Sequence, residues 1–241
     1  MSFTVSHRIL TGGACIVTLL LAGCRPEDGR LVFEDSFQVN SLSAYRMQVK
    51  CANKPDEYGN QALGDTARAM FQPGSHGVYI EASDGNTLTL THSVAAVTSG
   101  VVVVRFKPLA TYPANGQLSL EARGRDSAFS FTMAGGYYET ALAKQVNGRE
   151  VAADMRKGPY FTTMEELGGY DGEMTVRWAV QDPEFHILAL WFSPDGAEVY
   201  IDGQQVRELA TPDGKPVAIT EISVRAYQLE CLVDGLKVFS F

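Results

Sequence analysis

The chain has 241 residues, with 20 Lys and Arg against 28 Asp and Glu and a formal net charge of −8. An acidic balance without a basic run argues against a nucleic-acid partner, whose affinity rests on neutralising phosphates with Lys and Arg. Its Cys and His residues show no ligand spacing, which argues against a zinc-type metal site.

The first element is a leader. Arg8 and the free amine precede a short apolar run, Ile9 to Gly23, that stops at Cys24 and turns charged in "RPEDG". A membrane span needs roughly 20 apolar residues, so the run reads as an export signal. The order Leu21, Ala22, Gly23, Cys24 resembles the bacterial lipobox. That resemblance implies a signal at 1–23, lipid on Cys24, a lipidated linker at 24–30 and one tethered domain at 31–241. Arg25, standing where an aspartate would retain the protein, implies the outer membrane. A plain secretory signal with a chance cysteine and a permanent membrane helix are the alternatives.

Cys15 leaves with the signal and Cys24 is taken by lipid, so Cys51 and Cys231 remain. Two cysteines in an exported chain make a natural disulfide pair; two unrelated buried thiols are the alternative. A bridge between them would set an early strand beside one of the last.

Residues 65–71, "DTARAMF", have the composition of two helical turns. After them the chain reads as strands. "TLTLT" (87–91) and "AFSFTM" (128–133) alternate with period two, and "VVVVRFK" (101–107) is apolar on both faces, as a doubly buried strand would be. Turn signals fall at Asp84-Gly85, Gly135-Gly136, Pro194-Asp195-Gly196, Asp202-Gly203 and Pro212-Asp213-Gly214. "TMEEL" (163–167) carries a capping-box spacing and a Gly stop. The pattern predicts an all-β protein, a two-sheet antiparallel β-sandwich or jelly roll with one or two short helices.

The stretch "FHILALWFSPDGAEVYIDGQQV" (185–206) resembles the strand pair of concanavalin A-like jelly rolls, especially family 16 glycoside hydrolases and laminin G-like domains. The matching positions are His186, Trp191, Pro194, Tyr200, Asp202, Gly203 and Val206. "LVFEDSF" (31–37) and "LVDGLKVFSF" (232–241) resemble the first and last strands of such domains, which pair in that fold. The resemblance also implies a structural calcium held by Asp35 and Asp234; capping of a turn by each is the alternative.

Catalysis in that hydrolase family needs two carboxylates flanking the sugar bond, placed on alternate residues of one strand as Glu-x-Asp-x-Glu. Here the corresponding strand, "NGQLSLEARGRD" (115–126), offers Gln117, Ser119 and Glu121 on one face and Leu118 and Leu120 on the other. The acid and base position survives as Glu121, but an amide at Gln117 cannot form a glycosyl ester. Three readings of the strand stay open. Glu121 acts with Asp126, Glu121 and Arg123 serve a uronate lyase, or Glu121, Arg123 and Arg125 form a solvated face.

Binding asks less of a site. Sugar rings stack on aromatic faces while planar polar groups take their hydroxyls. Gln117, Ser119, Arg123, Tyr137, Tyr138, Tyr160, Trp178, His186 and Trp191 are the candidates, although His186 and Trp191 lie an odd number of residues apart and face opposite ways. The function expected is a lipid-anchored polysaccharide-binding protein without an essential cofactor. A glycoside hydrolase or polysaccharide lyase built around Glu121 and an adhesive, protein-binding domain are the alternatives.

Overall fold

The computed structural model describes residues 29–50, 67–73, 77–111, 116–134, 139–157, 184–211 and 216–241. Strands follow in the order β1 (Arg30–Asp35), β2 (Arg46–Lys50), β3 (Ala67–Gln72), β4 (Gly77–Val97), β5 (Gly100–Thr111), β6 (Gln117–Arg123) and β7 (Ser127–Ala134). Then come β8 (Glu139–Val146), β9 (Arg149–Lys157), β10 (His186–Ser193), β11 (Gly196–Ile201), β12 (Gln204–Ala210) and β13 (Ile219–Ser240). One 3-10 turn, Leu42–Ala44, separates β1 from β2. Every pairing among these strands is antiparallel.

Two long strands organise the sandwich: β4 with 21 residues and β13 with 22 run through both halves. The first half has the order β2-β4-β13-β6-β7-β8-β9, and the second has β3-β4-β13-β5-β10-β11-β12. Along the end of β13, β1 takes the place of β4, with Arg30 opposite Ser240 and Asp35 opposite Leu236. The first and last strands therefore pair, as the resemblance to concanavalin A-like jelly rolls implies.

Alternation sorts the faces. Leu118, Leu120, Phe129 and Phe131 of the first half meet Val102, Val104, Leu188 and Leu190 of the second in one buried core. Val101 and Val103 point the other way, into a smaller apolar cluster with Ile187, Ala189, Tyr200 and Phe239. The β5 run is thus buried on both faces because each face has its own apolar partner. At the far edge Arg207 of β12 donates to the carbonyl of Thr140 on β8 at 3.3 Å, tying the halves together.

The turns at Pro194-Asp195 and Asp202-Gly203 lie where the sequence places them. Asp202 and Gly203 both have positive φ, 50° and 82°, as do Asn147 and Gly148 between β8 and β9, at 50° and 72°. Both are two-residue loops of the kind that matches strand twist.

Three expectations are corrected. Of residues 65–71, expected as helical turns, 67–71 belong to β3, paired with β4 from Ala67 opposite Ala82 to Gln72 opposite Gly77; pairing with a long neighbour outweighs the weak helix preference of so short a stretch. Asp84-Gly85 is no turn between strands but part of a continuous β4. There the chain bends: Tyr227 pairs with Thr87 and Leu229 with Ala82, so residues 83–86 stand against Gln228 alone, at φ 47°. Third, Cys231, expected in a bridge, is a free buried thiol. Lys50, the residue before Cys51, pairs with Thr87, which pairs with Tyr227 on its other side. Lys50 is therefore two strand spacings, about 10 Å, from β13 and four residues short of Cys231 along it, whereas a disulfide needs Cα atoms within about 7 Å. Cys51 itself, the 1–23 signal, Cys24, the "TMEEL" helix and the turns at Gly135-Gly136 and Pro212-Asp213-Gly214 lie outside the described residues.

Candidate ligand-binding face

The outer face of the first half is built by period-two alternation on five adjacent strands. With Leu118, Leu120 and Ala122 in the core, Gln117, Ser119, Glu121 and Arg123 of β6 must point outward. Register extends this line into rows. Gln117 is opposite Tyr227, Ser119 opposite Arg225, Glu121 opposite Ser223 and Arg123 opposite Glu221. On the other side Ser119 faces Thr132 and Glu121 faces Ser130 of β7. Beyond β13 the rows continue through Thr87, Thr89 and Thr91 of β4 to Lys50, Gln48 and Arg46 of β2.

Ser119 and Thr91 are buried beneath the longer outward side chains, and hydrogen bonds fix the face. Arg225 Nη2 donates to Ser119 Oγ at 3.1 Å, and Ser119 Oγ lies 3.0 Å from Thr132 Oγ1. Thr91 Oγ1 and Ser223 Oγ are 3.0 Å apart. Two ion pairs lie alongside: Arg123 Nε to Glu121 Oε1 at 2.5 Å and Arg46 Nη2 to Glu221 at 3.3 Å. The bond to Glu121 raises the pKa of the Arg123 guanidinium above its ordinary value, against the opposing effect of burial.

Chemically the face can donate and accept hydrogen bonds along its whole width. It does not present the carboxylate pair of a retaining glycosidase on one strand, because positions 117 and 119 carry an amide and a hydroxyl. Both carboxylates on the face are bonded to arginines. Asp126 stands in the β6–β7 turn, off the line of outward residues.

The other sequence candidates lie elsewhere. Trp191 faces outward from the second half, against the Val101 cluster and stacked on Phe241 with centroids 5.2 Å apart. His186 has the parity of Leu188 and packs on Phe106 at 5.7 Å, with Nδ1 2.7 Å from Asp202 Oδ2. Both sit on β10, in the half that does not carry β6, so neither joins the polar face. Tyr137, Tyr138, Tyr160 and Trp178 lie outside the described residues. His92 lies against Phe33, with centroids 4.1 Å apart, and 3.2 Å from the Ala44 carbonyl, a packing role.

Asp35 and Asp234 do not fit a calcium site. Asp35 accepts from the Phe37 amide at 2.8 Å, Ser41 Oγ at 2.6 Å and Tyr45 Oη at 3.0 Å, so most of its lone pairs are engaged in tying down the segment around the 3-10 turn. Burial and then the Asp35 carboxylate push the Tyr45 hydroxyl far above its ordinary pKa. Asp234 is ion-paired with Arg105, a cation where a second cation would be repelled; burial nevertheless raises the Asp234 pKa. Among the described residues no cluster of three or more His, Cys, Asp or Glu is placed to hold a metal.

Arg225, Ser223, Thr132, Thr91 and Tyr227 are the site residues that sequence reasoning missed. Their signal was present: in "EISVRAY" Glu221, Ser223, Arg225 and Tyr227 alternate with apolar residues. What the sequence does not display is that this strand lies beside β6.

Comparison with known proteins returns the fold. No protein-family model and no curated protein matches the chain. Among solved structures it resembles a galectin-like-fold protein of unknown function from Bacillus subtilis, with TM-score 0.58 and 11% identity, covering 88% of this chain and 96% of that one. It also resembles a non-specific endo-β-1,3(4)-glucanase of glycoside hydrolase family 16, with TM-score 0.57 and 13% identity over 89% and 92% of the two chains. The catalytic domain of an endo-1,3-β-glucanase (laminarinase) from Thermotoga petrophila superposes with TM-score 0.56 at 14% identity, over 89% and 98%. At such identities the likeness concerns architecture alone: the chain has the jelly-roll sandwich of galectin-like proteins and family 16 glucanases.

Proposed function

We propose that this chain binds a polysaccharide on the outer face of β2, β4, β13, β6 and β7 without cleaving it, and that it does so tethered to the outer membrane through lipid on Cys24. The observation that carries the binding reading is β6 itself, which offers Gln117 and Glu121 to a polar face, holds Arg225 there through the buried Ser119 hydroxyl and pairs its one carboxylate with Arg123. Hydroxyls and amides in rows suit the hydroxyls of a sugar chain, and the fold is one in which glucanases accept polysaccharides.

The test is a reducing-end and unsaturated-uronate assay of the full chain on a polysaccharide panel, alongside affinity electrophoresis. Retardation by a panel member without product release supports the proposal. Turnover that disappears in Glu121→Gln overturns it. Membrane attachment is tested separately: Cys24→Ala should leave the membrane fraction, and its retention there would sink the anchor.

One observation favours the enzyme reading. Glu121 and Glu221 are diagonal neighbours on adjacent strands, so two carboxylates stand on one face, as the pair of a glycosidase must. The same assay decides between the two.

A further inference from the structure

Resting on the binding reading above, we infer that the sugar chain this face accepts is anionic, and that Arg225 is the residue that receives its carboxylate or sulfate oxygens.

The first observation is local charge. The whole chain carries −8, yet the outward side chains of β2, β4, β13, β6 and β7 include four cations, Arg46, Lys50, Arg123 and Arg225, against two carboxylates, Glu121 and Glu221. The carboxylates are used up by Arg123 and Arg46. Arg225 and Lys50 have no carboxylate partner among the described residues. A positive patch on an otherwise acidic protein concentrates a polyanion there while the rest of the surface repels it.

The second observation is how Arg225 is held. It occupies the central strand of the platform, between Thr89 on β4 and Ser119 on β6. One nitrogen is anchored on Ser119 Oγ, itself 3.0 Å from Thr132 Oγ1. A guanidinium has five N–H donors in a planar fork, so fixing one leaves a preset edge for a two-pronged contact with an oxyanion. Gln117 and Gln48 lie diagonal to Arg225 and opposite Thr89 respectively, where amides can take the hydroxyls of the same sugar. Tyr227, next outward on β13, offers a ring for stacking. A neutral glucan would leave the Arg225 charge uncompensated in a desolvated contact, a cost that an anionic sugar avoids.

The test is affinity electrophoresis of the full chain in gels carrying polygalacturonate, a sulfated galactan or a neutral β-1,3-glucan, at low and high salt, with Arg225→Gln as the variant. At least one anionic polymer should retard the wild type, less so at high salt. The exposed position of Arg225 means that the variant should keep its melting temperature. It should lose about tenfold in affinity for the anionic polymer, the scale of a charge-assisted hydrogen bond. Retardation by polygalacturonate alone assigns a carboxylate, and by the galactan alone a sulfate ester. Equal retardation by the neutral glucan, unchanged in Arg225→Gln, overturns the anionic assignment and leaves the binding reading standing. No retardation by any polymer overturns both.

Discussion

His186 Nδ1 lies 2.7 Å from Asp202 Oδ2, joining the first residue of β10 to the loop between β11 and β12. The other carboxylate oxygen of Asp202 accepts the Ile187 amide at 2.8 Å, and its own amide donates to the Ile187 carbonyl at 2.9 Å. All this hangs on a residue at φ 50°, a conformation that Asp and Asn tolerate better than other side chains. Asp202→Ala should cost about 2–3 kcal/mol, from lost hydrogen bonds and left-handed strain together. Asp202→Asn should cost about half of that. Urea denaturation of both variants measures the difference, and equal losses would place the cost in the charge rather than the backbone.

Adjacent residues on β6 should behave oppositely. Leu120 is buried in the core, and Leu120→Ala should remove about 2–5 kcal/mol of stability. Ser119→Ala frees Arg225 and Thr132 on the outer face and should cost no more than about 1.5 kcal/mol, while weakening glycan retardation several-fold. A Ser119→Ala protein that binds as tightly as the wild type would remove Ser119 from the site.

Alkaline stability should report on Cys231. Burial is the larger cause, with the Glu230 charge second, that pushes this thiol from an ordinary 9.0 up to about 12. Between those values the unfolded chain has lost the proton and the folded chain has kept it, so stability falls as pH rises, by at most about 1.4 kcal/mol per unit. Below pH 9 both states hold the proton and the group is silent. Tyr45 and Tyr200, whose hydroxyls are also raised by burial from 10.0, add to the decline only above pH 10. Cys231→Ala should therefore flatten the stability profile between pH 9 and 10. An unchanged slope would show that the thiol does not titrate with unfolding.

The bend offers a gain. Asn86 is completely buried, and among the described residues neither of its amide atoms, nor Gln228 Oε1 across from it, has a hydrogen-bond partner. Buried polar atoms without partners cost about 1–3 kcal/mol, so Asn86→Leu should raise the urea midpoint. A fall instead would mean that the amides serve a bound partner at the bend.

Much of the sandwich could be read from local pattern, because a strand with one wet face announces itself by alternation. That is why Gln117, Ser119 and Glu121 could be placed on one face of β6 and Val101–Val104 recognised as doubly buried. Residues 67–72 could not, since "ARAMFQ" has neither clean alternation nor β-branched residues and is a strand only because β4 is beside it. Asp84-Gly85 misled for a related reason: a turn dipeptide marks a change of direction, and a bulge inside one strand is also such a change. The Arg225–Ser119 bond joins residues 106 apart in sequence, and no local signal reports that pairing. Cys51 and Cys231 show the same limit, because thiol counting supplies a partner without a register.

The last strand has a consequence for how the chain is made. Ile219–Ser240 is the middle strand of both halves, flanked by β4 and β6 in one and by β4, β1 and β5 in the other. While translation proceeds, every earlier strand that will pair with it has an open edge, and a ribosome-held nascent chain offers no central ladder on which to close. Closure of the sandwich must wait until Ile219–Ser240 has been synthesised, and its long-range pairings make the closing step slow. Until that strand emerges the earlier strands stay unclosed, the state in which a holding chaperone can still take them.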